Sequence, residues 1–213
     1  MRTAIATKPR LTLALAALVA AAGLLAADPS ASQAAPQAFT LDRTHSSVGF
    51  RVKHLVSIVP GRFTDFAGTL TYDEAQPENS TVEVTIQSSS VTTDTPRRDD
   101  DLRNNPGLFD VANYPSILFK STSVKKTGDT TFDVTGDLTL RGVTKPVVLK
   151  AELLGLAPGP DGKPRIGFTA TTKINRQDYG MTWNHTLDNG GLLVGNDVWI
   201  DLGVEAVAVD TKS

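Results

Sequence analysis

The stretch FDVTGDLTLRGVTKPVVLKAEL, Phe132 to Leu153, alternates apolar and polar residues twice over. Phe132, Val134, Leu138 and Leu140 fall on one side of an extended chain, and Asp133, Thr135, Asp137 and Thr139 on the other. Arg141-Gly142-Val143-Thr144 interrupts with turn residues, after which Val147, Leu149, Ala151 and Leu153 resume the pattern against Lys150 and Glu152. A period of two is the strand signature, because successive side chains of an extended chain point to opposite faces. Two such runs about a short turn read as an antiparallel pair with one dry face and one wet face.

Working outward, the same alternation recurs in Val48-Phe50-Val52, Phe66-Gly68-Leu70-Tyr72 and Val82-Val84-Ile86. It recurs again in Ile117-Phe119, in Ile166-Phe168-Ala170-Ile174 and in Val198-Ile200-Leu202-Val204-Ala206. With the opening pair this makes eight expected strands, separated by turn clusters such as Gln76-Pro77-Glu78-Asn79 and Pro158-Gly159-Pro160-Asp161-Gly162. Single-faced strands must curl to cover their apolar side, as an eight-stranded barrel or a two-sheet sandwich. Two connections exceed what hairpins need. Thr92 to Pro115 holds Pro96 to Arg103, read as a short helix, and Arg176 to Asp197 holds Trp183 and His185. Long loops are often functional, so both are candidate rims of a pocket.

Composition narrows the chemistry. The 213 residues carry 21 Lys+Arg against 23 Asp+Glu, a formal net charge of -2, which lacks the basic footprint of a nucleic-acid binder. There is no cysteine, so disulfides, thiolate metal sites and cysteine nucleophiles are excluded. Arg2, Lys8 and Arg10 precede an apolar run from Leu11 to Ala27, and small residues follow. That is the layout of a secretory signal peptide, expected over residues 1–34 with cleavage near Ala34. A short linker at 35–38 and a single domain at 39–210 complete the expected organisation, in a periplasmic or secreted protein. Nothing after the leader is long and apolar enough to span a bilayer as a helix.

No catalytic constellation is legible. His45 and Ser46 are adjacent, so a strand would point them apart, and there is no G-x-S-x-G elbow. The three histidines, His45, His54 and His185, lack metal-ligand spacing, and Asp99-Asp100-Asp101 reads as a solvated helix start without the pattern of a calcium loop. No catalytic residue, metal or cofactor is therefore expected. The alternating faces offer another possibility, since an eight-stranded barrel either fills with side chains or holds one small ligand. Small residues on the apolar face (Gly68, Gly136, Ala151, Ala170) could leave a void or allow tight packing, and the pattern alone does not choose.

The order of motifs carries a family likeness. Phe39-Thr-Leu-Asp42 with His45-Ser46 opens it, followed by Pro60-Gly61-Arg62-Phe63, Phe66-Ala67-Gly68-Thr69-Leu70, Arg98-Asp99 with Leu102-Arg103, and Leu108-Phe109-Asp110-Val111. Val134 to Val147 and Arg176-Gln-Asp178-Tyr-Gly180-Met-Thr-Trp183 continue it. From Phe39 to Val209 the chain resembles the YceI-like, polyisoprenoid-binding family. The resemblance implies an all-β, lipocalin-like barrel of eight antiparallel strands with one short helix in a long connection. It also implies a channel holding a polyisoprenoid or similar long-chain amphiphile, export, and no established catalysis. The channel wall is then expected from Val48, Phe50, Val52, Phe66, Leu70, Val84, Ile86, Phe119, Phe132, Leu138, Phe168, Ile174 and Trp183, and a polar end from His45, Arg98 and Arg176. Each of these has a structural alternative: ordinary core for the apolar set, loop-pinning ion pairs with Asp99, Asp110 or Asp178 for the arginines, a backbone contact for His45, and a barrel-floor plug for Trp183. Many relatives read Arg-Asp-x-His-Leu where this chain has Asp101, and an acid there would repel a phosphate. A lipid ligand, no nucleic acid, transient membrane contact and a monomer or homodimer are the expected partners. The rival readings are an enzyme on an apolar substrate and a non-catalytic module with a filled core.

Overall fold

Every strand expected from the alternation forms, and three more join them. The computed structural model describes residues 35–186 and 191–209; the leader and cleavage site expected over 1–34 lie outside them, as does Asp210 at the expected domain end. Eleven strands and one α-helix follow in order: β1 (Gln37–Leu41), β2 (Ser47–His54), β3 (Ser57–Phe63), β4 (Phe66–Tyr72), β5 (Thr81–Gln87), β6 (Val91–Thr92), α1 (Pro96–Asn104), β7 (Ser116–Lys126), β8 (Thr131–Leu140), β9 (Val143–Pro158), β10 (Pro164–Asn175) and β11 (Val194–Ala208). All pairings are antiparallel, and eight strands close a ring in the order β1-β4-β5-β7-β8-β9-β10-β11, with β11 returning to β1. The fold is thus a closed eight-stranded barrel with one α-helix.

The ring's membership differs from the eight runs read in the sequence. The run at Val48–Val52 is β2, which lies outside the ring and pairs with the first part of β11, from Val194 to Gly203. The ring position beyond it is taken by β1, which pairs with Ala206–Ala208. β11 is simply longer than either partner, so one strand position is filled by two short strands joined through Asp42–Ser46. β2 then carries β3 and β6 as an extension of the sheet. β1 is too short for its alternation to register, and Pro60-Gly61 inside β3 breaks the pattern that marks a strand.

Ser46 bridges the seam between β1 and β2. Its hydroxyl donates to the Glu205 carbonyl at 3.1 Å and accepts from the Glu205 N–H at 3.0 Å, doing what a paired backbone would do. The helix at α1 begins with Pro96 in its first turn, where a missing N–H costs nothing. Buried Asp99 fastens it to β6. Its carboxylate accepts from the Thr92 hydroxyl at 2.8 Å and from the Thr93 N–H at 2.7 Å and hydroxyl at 2.5 Å. Burial pushes the Asp99 carboxyl up, but these bonds to its charged form outweigh that and hold it below the ordinary value.

Buried side chains gather in two clusters at opposite ends of β10. At the α1 end lie Phe63, Val91, Leu108, Phe109, Tyr179 and Met181; at the other lie Phe39, Ile166, Ala206 and Ala208. Ile166 is wholly inaccessible to solvent. Truncating it leaves a hole in the smaller cluster, so Ile166→Ala is expected to lose about 3 kcal/mol of stability, read from urea unfolding.

Candidate functional site

The inward faces of the strands, with most of the larger cluster among them, surround a cavity of about 280 Å³ whose wall is almost entirely carbon. A single water needs roughly 10–15 Å³, so the space is far larger than a packing defect. Val198, Ile200 and Leu202 face inward yet are only partly buried, because they border the cavity rather than other side chains. Along β10 the lining runs from Phe168 to Ile174. Six residue steps of about 3.3 Å, tilted by roughly 40°, give this stretch of the cavity a length on the order of 15 Å.

Placement of the phenylalanines keeps the bore clear. Phe50 stands opposite Gly61 in the β2–β3 register, and its ring covers that glycine so closely that a Cβ there would fall 2.2 Å from the Phe50 Cζ. Phe119 lies in the same way against Gly136, where a Cβ would fall 2.5 Å from the Phe119 Cζ and 2.6 Å from the Lys120 carbonyl oxygen. Each ring occupies the volume its neighbour's side chain would have taken, along the wall rather than across the bore. The aromatic series continues toward the α1 end, with Phe50 and Phe63 ring centroids 5.8 Å apart and Phe63 meeting Phe109 edge to face at 5.5 Å.

Val48, Phe50, Val52, Phe66, Leu70, Val84, Ile86, Phe119, Phe132, Leu138, Phe168 and Ile174 all border the cavity. Trp183 does not. It follows β10 in an irregular segment, packs over Gly107 and donates its N–H to the Gly107 carbonyl at 2.9 Å. Several wall residues were not singled out by the sequence. Val198, Ile200 and Leu202 carried the alternation that could have found them, whereas Phe109 and Met181 come from loops, where no periodicity points inward.

The three polar-end residues separate. Only Arg176 borders the cavity, and it is buried. Its Nε donates to the Gly195 carbonyl at 2.9 Å, and Nη1 to those of Met181 at 2.5 Å and Trp183 at 2.9 Å. Nη2 makes longer contacts, at 3.5 Å, to the Val194 carbonyl and the Asn196 amide oxygen. It thus pins two segments, but through carbonyls and not through the carboxylates expected. Burial, with no counter-charge to offset it, lowers its pKa. Arg98 instead donates to the Thr93 hydroxyl at 2.6 Å, the Thr93 carbonyl at 2.9 Å and the Thr95 hydroxyl at 3.0 Å, and does not line the bore. Asp101 is exposed and also away from the bore.

His45 lies on the outer face at the β1–β2 seam. Its Nδ1 is 2.9 Å from Asp42 Oδ2, and Arg165 joins Asp42 at 3.3 Å to Glu205 at 2.7 Å. Asp42, His45 and Glu205 are close enough together to share a cation, and the Arg165 guanidinium supplies that charge. The His45 bond pulls Asp42 down to about 2, and Asp42 in turn raises His45 above its ordinary value.

A closed antiparallel barrel of eight strands around a carbon-walled cavity is a lipocalin-like architecture. The YceI-like domain model matches residues 39–206, and the chain belongs to that family. Protein YceI of Escherichia coli is 45% identical over 155 residues, covering 71% of this chain and 80% of the relative. The crystal structure of the Campylobacter jejuni YceI protein superposes with a TM-score of 0.63 at 36% identity, over 80% of this chain and 97% of that one. A polyisoprenoid binding domain from Saccharophagus degradans, implicated in plant cell wall breakdown, shares the fold at a TM-score of 0.61 and 20% identity, over 81% and 99% of the two chains.

Two outcomes are expected from this geometry. Gly61→Ala drives a methyl into the Phe50 ring and costs about 1–3 kcal/mol; Gly61→Ala/Phe50→Leu recovers most of it, because the ring supplies the nearest atoms. Gly136→Ala is not recovered by Phe119→Leu, since the Lys120 carbonyl still blocks the methyl. Urea unfolding of the four variants distinguishes the two glycines. At the seam, Asp42 stabilises above its ordinary 3.8 and loses that contribution as pH falls toward 2. His45 contributes fully below 6.5 and loses its contribution as pH rises through its elevated value. The Tm difference between wild type and His45→Asn is therefore expected to be largest between about pH 4 and 6.5 and to narrow on either side.

Proposed function

We propose that this protein is an exported carrier that sequesters the chain of a polyisoprenoid or similar long-chain amphiphile in its bore, without chemical turnover. The carrying observation is the elongated carbon-walled cavity held open by ring placement on Gly61 and Gly136. Burying about ten methylenes there is worth about 8 kcal/mol, equivalent to a micromolar dissociation constant before the entropy of association is subtracted. Hydrophobic transfer needs no recognition motif, which fits a lining that contains, among the described residues, no Asp, Glu, His, Cys or Lys.

Arg176 supports one orientation of the ligand. Among the described residues it is the single charged one lining the bore, and no carboxylate reaches it. A cation without a counter-charge in a low-dielectric bore favours an anionic head group at the α1 end. The family and the polyisoprenoid binding domain of S. degradans support the ligand class. The leader pattern of residues 1–34 supports a periplasmic or secreted location.

Native mass spectrometry of residues 35–213 purified from cells, before and after solvent extraction, tests the reading. About one long-chain lipid per chain is expected. Ile200→Trp, which fills the bore from the middle of β11, should reduce that to under half while the barrel stays folded by circular dichroism. A wild-type protein free of lipid, or an unchanged lipid content in Ile200→Trp, would overturn it.

A further inference from the structure

The turn between β2 and β3 is built from the wrong residues for a turn. His54 pairs with Ser57, so Leu55 and Val56 alone make the reversal. Two-residue hairpin turns place Gly or Asn where φ is positive. Here Leu55 holds a φ of 50°, a region in which bulky residues are outliers, and Val56 beside it is 99% exposed. A Gly-Ser pair, with glycine at the positive-φ position, would turn the chain with less strain and no exposed apolar surface. Local choices that contradict the fold's needs mark functional positions.

The tip is not alone. Leu55 donates its N–H to the Leu193 carbonyl at 2.9 Å, and the Leu193 N–H donates to the His185 carbonyl at 3.0 Å, so three segments lie side by side. They place Leu192 and Trp183 on the same end of the molecule. Leu55, Ile58, Leu192 and Trp183 are 43%, 49%, 45% and 38% exposed. None borders the cavity, so a bound chain does not account for them. Charge on the hairpin has one sign. From Arg43 to Thr64 there is no Asp or Glu, in a chain whose net charge is -2. Arg43, Arg51 and Arg62 pair with Asp65, Asp201 and Asp94 of other segments. Lys53, opposite Ile58 and nearest the tip, has no carboxylate within ion-pairing distance among the described residues.

We infer that this hairpin tip docks the protein on an anionic phospholipid bilayer, with Leu55 and Val56 entering the acyl edge and Lys53 meeting lipid phosphates. The inference rests on the carrier reading and deepens it by naming the surface through which a membrane is met. A protein partner fits less well. Stable interfaces bury roughly 800 Å² on each side, and a two-residue tip flanked by scattered apolar residues offers no flat patch of that size. A bilayer needs only a few apolar side chains at the acyl boundary, an interfacial aromatic and a cation at head-group level.

Sedimentation with sucrose-loaded vesicles of equal parts phosphatidylglycerol and phosphatidylcholine tests it, using residues 35–213, which contain every strand of the barrel. Wild type is expected to bind at least tenfold more tightly than Leu55→Gly/Val56→Ser. That variant places glycine at the one turn position with positive φ, so its Tm should rise or hold, and lost binding is not lost folding. Lys53→Gln should weaken binding about fivefold, and pure phosphatidylcholine vesicles should bind wild type no better than they bind that variant. Equal vesicle binding by wild type and the turn variant would overturn the inference. So would a wild-type dimer by light scattering that the turn variant abolishes, with no vesicle binding by either. Lipid content measured on the same preparations keeps the two proposals apart: lipid-loaded protein that ignores vesicles sinks the docking surface and leaves the carrier standing.

Discussion

Eight strands make the narrowest ring that can be either solid or hollow, so the outcome depends on the volume pointed inward. In this protein the deciding contacts are two aromatic rings laid on glycines, Phe50 on Gly61 and Phe119 on Gly136. A phenylalanine projecting from the wall of so small a barrel would reach far across it. Laid against a residue with no side chain, the same ring contributes apolar surface to the wall and leaves the middle clear. The cavity, its carbon lining and the partial burial of Val198, Ile200 and Leu202 all depend on that placement. The large residues are thus the wall, and the glycines are the recesses that receive them.

A hollow bore lacks the cohesion of a packed core along its middle, so stability must come from its ends and its seam. The α1 end is closed by the cluster around Phe109, Tyr179 and Met181, and the far end by Phe39, Ile166, Ala206 and Ala208. At the seam, where β1 gives way to β2 along β11, the ladder is interrupted, and unpaired backbone there would be costly if buried. Ser46 completes the hydrogen bonding with one hydroxyl that both donates and accepts. Outside it, Arg165 holds Asp42 and Glu205 together. His45 belongs to this fastening, which is a mechanical role for a residue that sequence alone left between a head-group contact and a backbone contact.

Much of this was legible in the sequence, for a physical reason. Each ring strand except β1 is single-faced, so its alternation states both its existence and its inward side; this is how Phe66, Val84, Leu138 and Phe168 could be assigned to the wall. What failed to register was whatever lacks a period. β3 holds Pro60 and Gly61, which break the pattern, although Gly61 is one of the two recesses. Phe109, Met181 and Trp183 sit in irregular segments whose direction is set by tertiary contacts, and Trp183 accordingly lies over Gly107 and not in the bore. Whether small residues meant void or close packing could not be read either, because that depends on diagonal neighbours in register. Gly136 faces Ser121 across the ladder, yet it is Phe119, two residues away, that fills its space.

The arginines show how much the surroundings of a side chain decide its work. Arg98 and Arg176 both lie in long connections, and both spend their N–H groups on oxygens of the protein itself. Arg98 does so at the foot of α1, partly open to water, where its charge is screened and its contacts hold the helix start. Arg176 does so facing a carbon-walled bore. Carbonyl oxygens satisfy its hydrogen bonds but carry no net charge, so the cation remains uncompensated in a medium that screens poorly. Desolvating such a group opposes folding, and a fold needing only a pin could use a neutral amide or place an aspartate beside it. The arrangement gains meaning once an anion enters from the cavity side, since the desolvation cost already borne by Arg176 then lowers the cost of bringing in the opposite charge. For the proposed carrier, a carbon wall with one cation among the described lining residues gives the two ends of an amphiphile different surroundings, which a purely apolar tube could not do.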